Sequence, residues 1–169
     1  MQSVQRKVSV LNTKSQPLRI NGVVAESCVD GPGLRYVIFV QGCPHHCEGC
    51  HNPQTHDFHG GNEVSTDKIL AEIKSDPLLS GVTFSGGEPF CQAGVLAELA
   101  QEIHALGMDV MVYSGWTLEQ LKEKAKKEEG VKALLDQTDI LVDGPFILAE
   151  RDLELDFRGS RNQRVIYLT

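Results

Sequence analysis

Three cysteines within eight residues carry the strongest chemical signal in this chain. The run Gly42-Cys43-Pro44-His45-His46-Cys47-Glu48-Gly49-Cys50 spaces them as C-x3-C-x2-C. Three thiolates this close can wrap one corner of an iron–sulfur cube and leave the fourth iron without a protein ligand. An electron-transfer cluster normally takes four cysteines. An open iron is what a catalytic metal centre needs to receive its substrate. The same run also permits tetrahedral zinc, with His45, His46 or His51 as the fourth ligand, or a group of reduced thiols with no metal. His56 and His59 read as members of an exposed polar loop, and Cys28 and Cys91 as ordinary buried or semi-buried thiols. Five cysteines, an odd number, in a chain without a secretory leader pattern argue against a disulfide framework.

A second signal is Ser85-Gly86-Gly87-Glu88-Pro89, placed between a strand and a helix. Adjacent glycines let the backbone turn sharply and approach a ligand without interference from a Cβ. Alone this reads as a tight structural turn. Its weight comes from standing at the end of the strand that follows the cysteine loop.

The elements that must position these residues are legible in the hydrophobic pattern. A strand is expected around Arg19 to Ala25, and Asp30-Gly31-Pro32-Gly33 is a turn. Arg35 to Gln41 is a continuous apolar run that reads as a buried strand feeding the cysteine loop, which continues as polar chain to Asn62. Thr66 to Ser75 reads as a short helix, Gly81 to Ser85 as a strand, and Gln92 to Leu106 as a helix closed by Gly107. Asp109 to Tyr113 is a further strand. Thr117 and Gln120 form a capping box for a helix through Leu121 and Ala125. Asp139 to Asp143 and Gln163 to Leu168 complete the strands. Strands alternating with helices imply parallel βαβ units. About five to six units are too few for an eightfold barrel of about 250 residues, so an open or partly closed parallel α/β barrel is expected. Ligands of such sheets sit beyond the carboxyl ends of the strands, where both signals fall.

With 169 residues, 41% hydrophobic and 23% charged, the chain is expected to be one domain, with a core over about 21–168 and a polar N-terminal extension over 1–17. No apolar run is long enough to cross a bilayer, and the N-terminus lacks the apolar stretch of a signal peptide. The cytoplasm is the expected location. The net charge of −7 and the lack of a basic stripe speak against a nucleic-acid partner. Lys122 to Lys127 is interleaved with Glu123 and reads as a solvated helix face.

C-x3-C-x2-C followed one strand later by Gly-Gly-Glu-Pro resembles the radical S-adenosylmethionine superfamily. The resemblance implies a [4Fe-4S] cluster on Cys43, Cys47 and Cys50, its open iron binding the amino and carboxylate groups of S-adenosylmethionine. Gly86, Gly87 and Glu88 would supply acceptors to the methionyl ammonium. Reductive cleavage would give a 5′-deoxyadenosyl radical, which abstracts a hydrogen atom; the protein orients the cofactor and excludes water. Many members carry an aromatic residue just before the third cysteine to pack on adenine. Here that position is Gly49, so adenine contact is expected near Gly49, Cys50 and His51.

Within the superfamily, Asp30-Gly31-Pro32-Gly33-Leu34-Arg35 and Cys50-His51-Asn52 occur in glycyl-radical activases. Val112 to Trp116, Leu141 to Phe146 and Phe157 to Arg164 are similar to segments of the activating proteins of anaerobic (class III) ribonucleotide reductase. That likeness spans roughly Asn21 to Leu168. It implies a glycyl-radical reductase as partner, a flavodoxin-like reductant, and no side chain acting as a general acid or base. The alternatives are an activating enzyme of pyruvate formate-lyase, a small-molecule enzyme such as 7-carboxy-7-deazaguanine synthase, and a non-catalytic iron–sulfur or zinc module. Arg158 and Arg161 read either as strand-end partners of Asp152, Glu154 or Asp156 or as contacts to cofactor or partner. Trp116 reads as core or subunit contact, and Asp143 as a strand-end residue placed where a site residue would be.

Overall fold

The structure, a computed structural model, describes residues 17–169. The expected N-terminal extension therefore lies almost wholly outside the described residues. Seven strands form one sheet: β1 (Pro17–Ser27), β2 (Arg35–Val40), β3 (Asn62–Ser65), β4 (Gly81–Gly86), β5 (Asp109–Tyr113), β6 (Ile140–Asp143) and β7 (Arg164–Tyr167), in the order β3-β1-β2-β4-β5-β6-β7. Four helices accompany them: α1 (Thr66–Ser75), α2 (Ala93–Ala105), α3 (Leu118–Ala125) and α4 (Glu129–Gln137).

The sheet is open, with β3 and β7 as its edges. Strands β2, β4, β5 and β6 pair in parallel, and the outer three are antiparallel to their neighbours. The parallel block is thus shorter than the five or six units expected. Connection length explains β1, and the lack of a crossover helix accompanies the antiparallel β7. A parallel return needs a crossover of a dozen or more residues; β1 and β2 are joined by seven, 28–34. The segment 144–163 between β6 and β7 contains only a 3-10 turn, Leu148–Glu150, and brings the chain back antiparallel.

Alternation along the parallel strands sorts side chains to two faces. Tyr36, Ile38, Val40, Val82, Phe84, Val110, Val112 and Leu141 turn toward the helices and pack with Leu96, Leu99, Ile103 and Leu134. Met111, Ile140 and Val142 turn to the concave face, joined by Tyr113, Phe157 and Val165. At the amino end of that face Arg35 is fully buried. Its guanidinium donates to Thr83 Oγ1 at 2.8 Å, to the carbonyls of Pro32 and Val82 at 3.0 Å, and pairs with Asp109. The 28–34 loop is thereby folded over the concave face; a Cβ on Gly31 would stand 2.6 Å from Arg35 Cδ and Met111 Sδ.

Helix boundaries follow local chemistry. Ser65 caps α1 by accepting from Asp67 N, and the Thr117–Gln120 capping box opens α3 as expected. Helix α2 begins one residue later than expected, after a 3-10 turn at Pro89–Gln92. The basic run is solvated, with Lys126 paired to Glu123 and Lys124 to Glu128.

Candidate active site

The carboxyl ends of β2, β4, β5 and β6 surround a cleft of about 450 Å³. Cys43, Cys47 and Cys50 line it, as do Gly86, Gly87 and His51. The two sequence signals therefore share one cavity.

Backbone bonds shape the cysteine loop. Gly42 leaves β2 at φ 102° and donates to Thr55 O at 2.7 Å, and Cys43 N donates to His56 O at 3.2 Å. Gln41, buried at the end of β2, donates from Nε2 to the carbonyls of Gln54 and Asp57. The polar chain after Cys50 thus folds back as a brace. Burial pushes the Cys43 thiol up to about 11, with Glu88, Cys47 and Cys50 adding to the rise and a backbone hydrogen bond at His45 opposing it. A thiolate here needs a cation, which a bound metal supplies.

The donor set fits an iron–sulfur cluster. All three thiols are free and face one cleft. Among the described residues, no three His, Cys, Asp or Glu side chains converge closely enough for a single metal ion. His45, a candidate fourth zinc ligand, has its Nε2 engaged 2.7 Å from Glu88 Oε2. Cys28 and Cys91 are exposed rather than buried, and neither lines the cleft.

The glycine pair is required by close approach. Gly86 has φ 92°, and a Cβ there would lie 2.6 Å from Phe39 Cα; on Gly87 it would lie 2.3 Å from Gly42 O. Gly87 N donates to Val40 O and Glu88 N to Gly42 O, each at 2.8 Å, so this turn is stitched to the start of the cysteine loop. Glu88 is 1% exposed, and its carboxylate bonds to three residues that line the cleft, His45, Ser114 and Gly115. It accepts from Phe90 N, the Ser114 hydroxyl and Gly115 N, and meets His45. The side chain of Glu88 thus latches two strand ends together, while Gly86 and Gly87 line the cleft with backbone.

Asp143 is buried at the end of β6, accepting from Leu118 N at the start of α3 and pairing with Arg164. It is a structural carboxylate. Trp116 packs partly buried against the core, edge-on to His45 with ring centroids 4.6 Å apart. Arg161 is exposed, and its backbone N donates to Glu150 O.

Arg158 differs from these. It lines the cleft and has no carboxylate partner among the described residues; its Nη1 donates to Gln163 O at 3.2 Å. Its Nε is buried without a partner, as is His56 Nε2, and both residues line the same cleft. Buried polar groups are normally satisfied, and these two atoms are exceptions in residues that line the cleft. Gly49, at φ 72°, does not reach the cleft lining; Phe146, which sequence reasoning passed over, does. Its ring lies 5.0 Å from that of His51. No local signal pointed to Phe146, because the contact joins residues 95 positions apart.

A family described as 4Fe-4S single cluster domain matches residues 29–166. An anaerobic ribonucleoside-triphosphate reductase-activating protein of Vibrio cholerae is 36% identical over 143 residues, which cover 80% of this chain and 88% of the relative. A pyruvate formate-lyase-activating enzyme of Listeria monocytogenes is 36% identical over 149 residues, covering 84% of this chain but 59% of that enzyme. Among solved structures, QueE from Escherichia coli is 20% identical with a TM-score of 0.48, over 60% of this chain and 54% of the other.

Proposed function

The chain belongs to the 4Fe-4S single cluster domain family and to that of the anaerobic ribonucleoside-triphosphate reductase-activating proteins, and from that premise we propose that it installs a glycyl radical on such a reductase. The observation that carries the reading is the single cleft in which three unpaired cysteines meet the Gly86–Gly87 turn. Cys43, Cys47 and Cys50 hold a [4Fe-4S] cluster with one iron left open for S-adenosylmethionine. When bound and reduced, the cluster would supply one electron for reductive cleavage of S-adenosylmethionine, the chemistry by which a hydrogen atom would be taken from Cα of a reductase glycine.

The chain's own part is to bind, orient and shield. Gly86 and Gly87 present backbone to the cleft where the methionyl end would lie, and a Cβ on either would collide with backbone at Phe39 or Gly42. Glu88 and His45 fix the cysteine loop against the ends of β4 and β5. Phe39, Tyr113 and Phe157 give the cleft apolar walls that keep water from a reactive species. The cleft stays open at one side, as a substrate that is a protein segment requires. The electron comes from a flavodoxin-like reductant.

A pyruvate formate-lyase-type partner is the second reading, favoured only by the match to the longer Listeria enzyme. The test is to load the protein with iron and sulfide without oxygen, reduce it with S-adenosylmethionine, and offer each glycyl-radical enzyme in turn. Formation of 5′-deoxyadenosine stoichiometric with activation of the ribonucleotide reductase alone supports the proposal. Activation of pyruvate formate-lyase instead transfers it to the second reading, and no 5′-deoxyadenosine with any partner removes both.

A further inference from the structure

The cysteine loop is closed at both ends by one short turn, the 3-10 helix Pro53–Thr55. At its start, the amides of Gly42 and Cys43 donate to Thr55 O at 2.7 Å and to His56 O at 3.2 Å. Those two N–H groups are thereby engaged by carbonyls. At its end the amide of Asn52 is placed differently. Its N–H donates to Cys50 Sγ, with nitrogen and sulfur 3.4 Å apart. The positive end of a backbone dipole thus rests on one of the three cluster-loop sulfurs.

Thr55 holds Asn52 in that place. The Asn52 carbonyl accepts from it twice, from Oγ1 at 2.6 Å and from N at 2.9 Å. Pro53, next in the chain, has no N–H to offer. Thr55 has no exposed surface, so water does not reach its hydroxyl. A valine would fill the same space; what the hydroxyl adds is the bond to Asn52. The three-residue turn therefore carries a buried polar side chain whose one partner is the residue that donates to Cys50.

A donor on a ligating sulfur matters when the electron arrives. Hydrogen bonds to the sulfurs are among the factors that set the potential of an iron–sulfur cluster. The N–H dipole stabilises the negative charge that reduction adds, so the bond makes reduction easier.

We propose that Thr55 is a positioning residue for the one-electron reduction. Its hydroxyl fixes Asn52 so that the Asn52 N–H stays on Cys50 Sγ, which raises the potential at which the cluster accepts an electron from the low-potential reductant. No bond of Thr55 breaks and no proton leaves it. This rests on the reading of the three cysteines as a [4Fe-4S] site.

The test is a redox titration of anaerobic, iron-loaded protein, with the reduced cluster counted by electron paramagnetic resonance and iron content measured beside it. Thr55→Val is expected to keep its iron and to shift to lower potential. At the poise that half-reduces wild type, less than half of its cluster should be reduced. Thr55→Ser, which keeps the hydroxyl, should titrate with wild type. A Thr55→Val midpoint equal to wild type at full iron content overturns the proposal, as does a Thr55→Ser midpoint shifted as far as that of Thr55→Val. Loss of iron from Thr55→Val would make Thr55 a brace for the loop and overturn its tuning role. Wild-type protein that takes up no iron overturns the cluster reading itself.

Discussion

His45 Nε2 lies 2.7 Å from Glu88 Oε2, and this pair joins the cysteine loop to the glycine turn across 43 residues of sequence. The carboxylate is buried and also serves the Ser114 hydroxyl and Gly115 N. Gly115 packs closely on the imidazole beside that contact, since a Cβ there would stand 2.5 Å from His45 Cδ2 and 2.6 Å from Nε2. Two polar groups from distant strand ends thus form one latch, and the latch sets where Cys43 begins the cluster loop.

Glu88→Gln tests that latch. The amide keeps the shape but turns one acceptor into a donor facing Gly115 N–H and the Ser114 hydroxyl. Leaving buried partners unsatisfied costs about 1–3 kcal/mol, so a lower denaturant midpoint and reduced iron retention are expected. Unchanged stability with selective loss of S-adenosylmethionine binding would instead place Glu88 on the cofactor.

Gly87→Ala and Gly94→Ala make a contrasting pair. The new methyl at Gly87 meets Gly42 O at 2.3 Å, a backbone atom that cannot step aside, whereas nothing lies within 4 Å at Gly94 in α2. The first substitution is expected to cost about 1–3 kcal/mol and to disturb iron loading. The second is expected to stabilise by about 0.5–1 kcal/mol through helix propensity. Urea unfolding of both variants checks the signs.

Arg35→Leu removes four donor contacts from the floor of the concave face and leaves Asp109, Thr83 Oγ1 and the carbonyls of Pro32 and Val82 without this donor. Asp109 is 41% exposed and is left in solvent, so the expected cost is that of the lost buried hydrogen bonds, about 1–3 kcal/mol. The same variant should release the 28–34 loop, measured as faster amide exchange at Val29 and Asp30.

Much of the fold was legible because its signals are local. The run Tyr36–Val40, the capping box at Thr117 and the helix at Thr66 are all decided by neighbours within a few residues. Strand β3 escaped notice because Asn62–Ser65 is polar and pairs only with β1 at a sheet edge. Helix α4 escaped because it opens after Glu128 with no side-chain cap and only a short apolar stripe, Val131 and Leu134. In the site, the cysteines and glycines declared themselves by spacing. The partners of Glu88, the unpaired Nε of Arg158 and the Phe146 ring did not, because each depends on contacts between strand ends that only folding brings together.

Glu119 offers a pH test away from the cleft. Hydrogen bonding from Arg164 lowers its carboxyl to about 2, and Arg164 also pairs with the buried Asp143. A depressed acid contributes stability that is present above its unfolded value near 4.5 and is lost as pH falls toward 2. The thermal midpoint of wild type is expected to fall through that window, and Glu119→Gln to show a shallower fall. Parallel curves would mean the pair adds nothing in solution.

The most direct measurement is electron paramagnetic resonance of the partner. Iron-loaded protein, S-adenosylmethionine, a low-potential reductant and anaerobic ribonucleoside-triphosphate reductase are mixed without oxygen. A glycyl-radical doublet on the reductase, absent with Cys43→Ala, Cys47→Ala or Cys50→Ala, is the predicted result. No doublet from a protein with its full iron content, or a doublet that survives loss of any of the three cysteines, would contradict it.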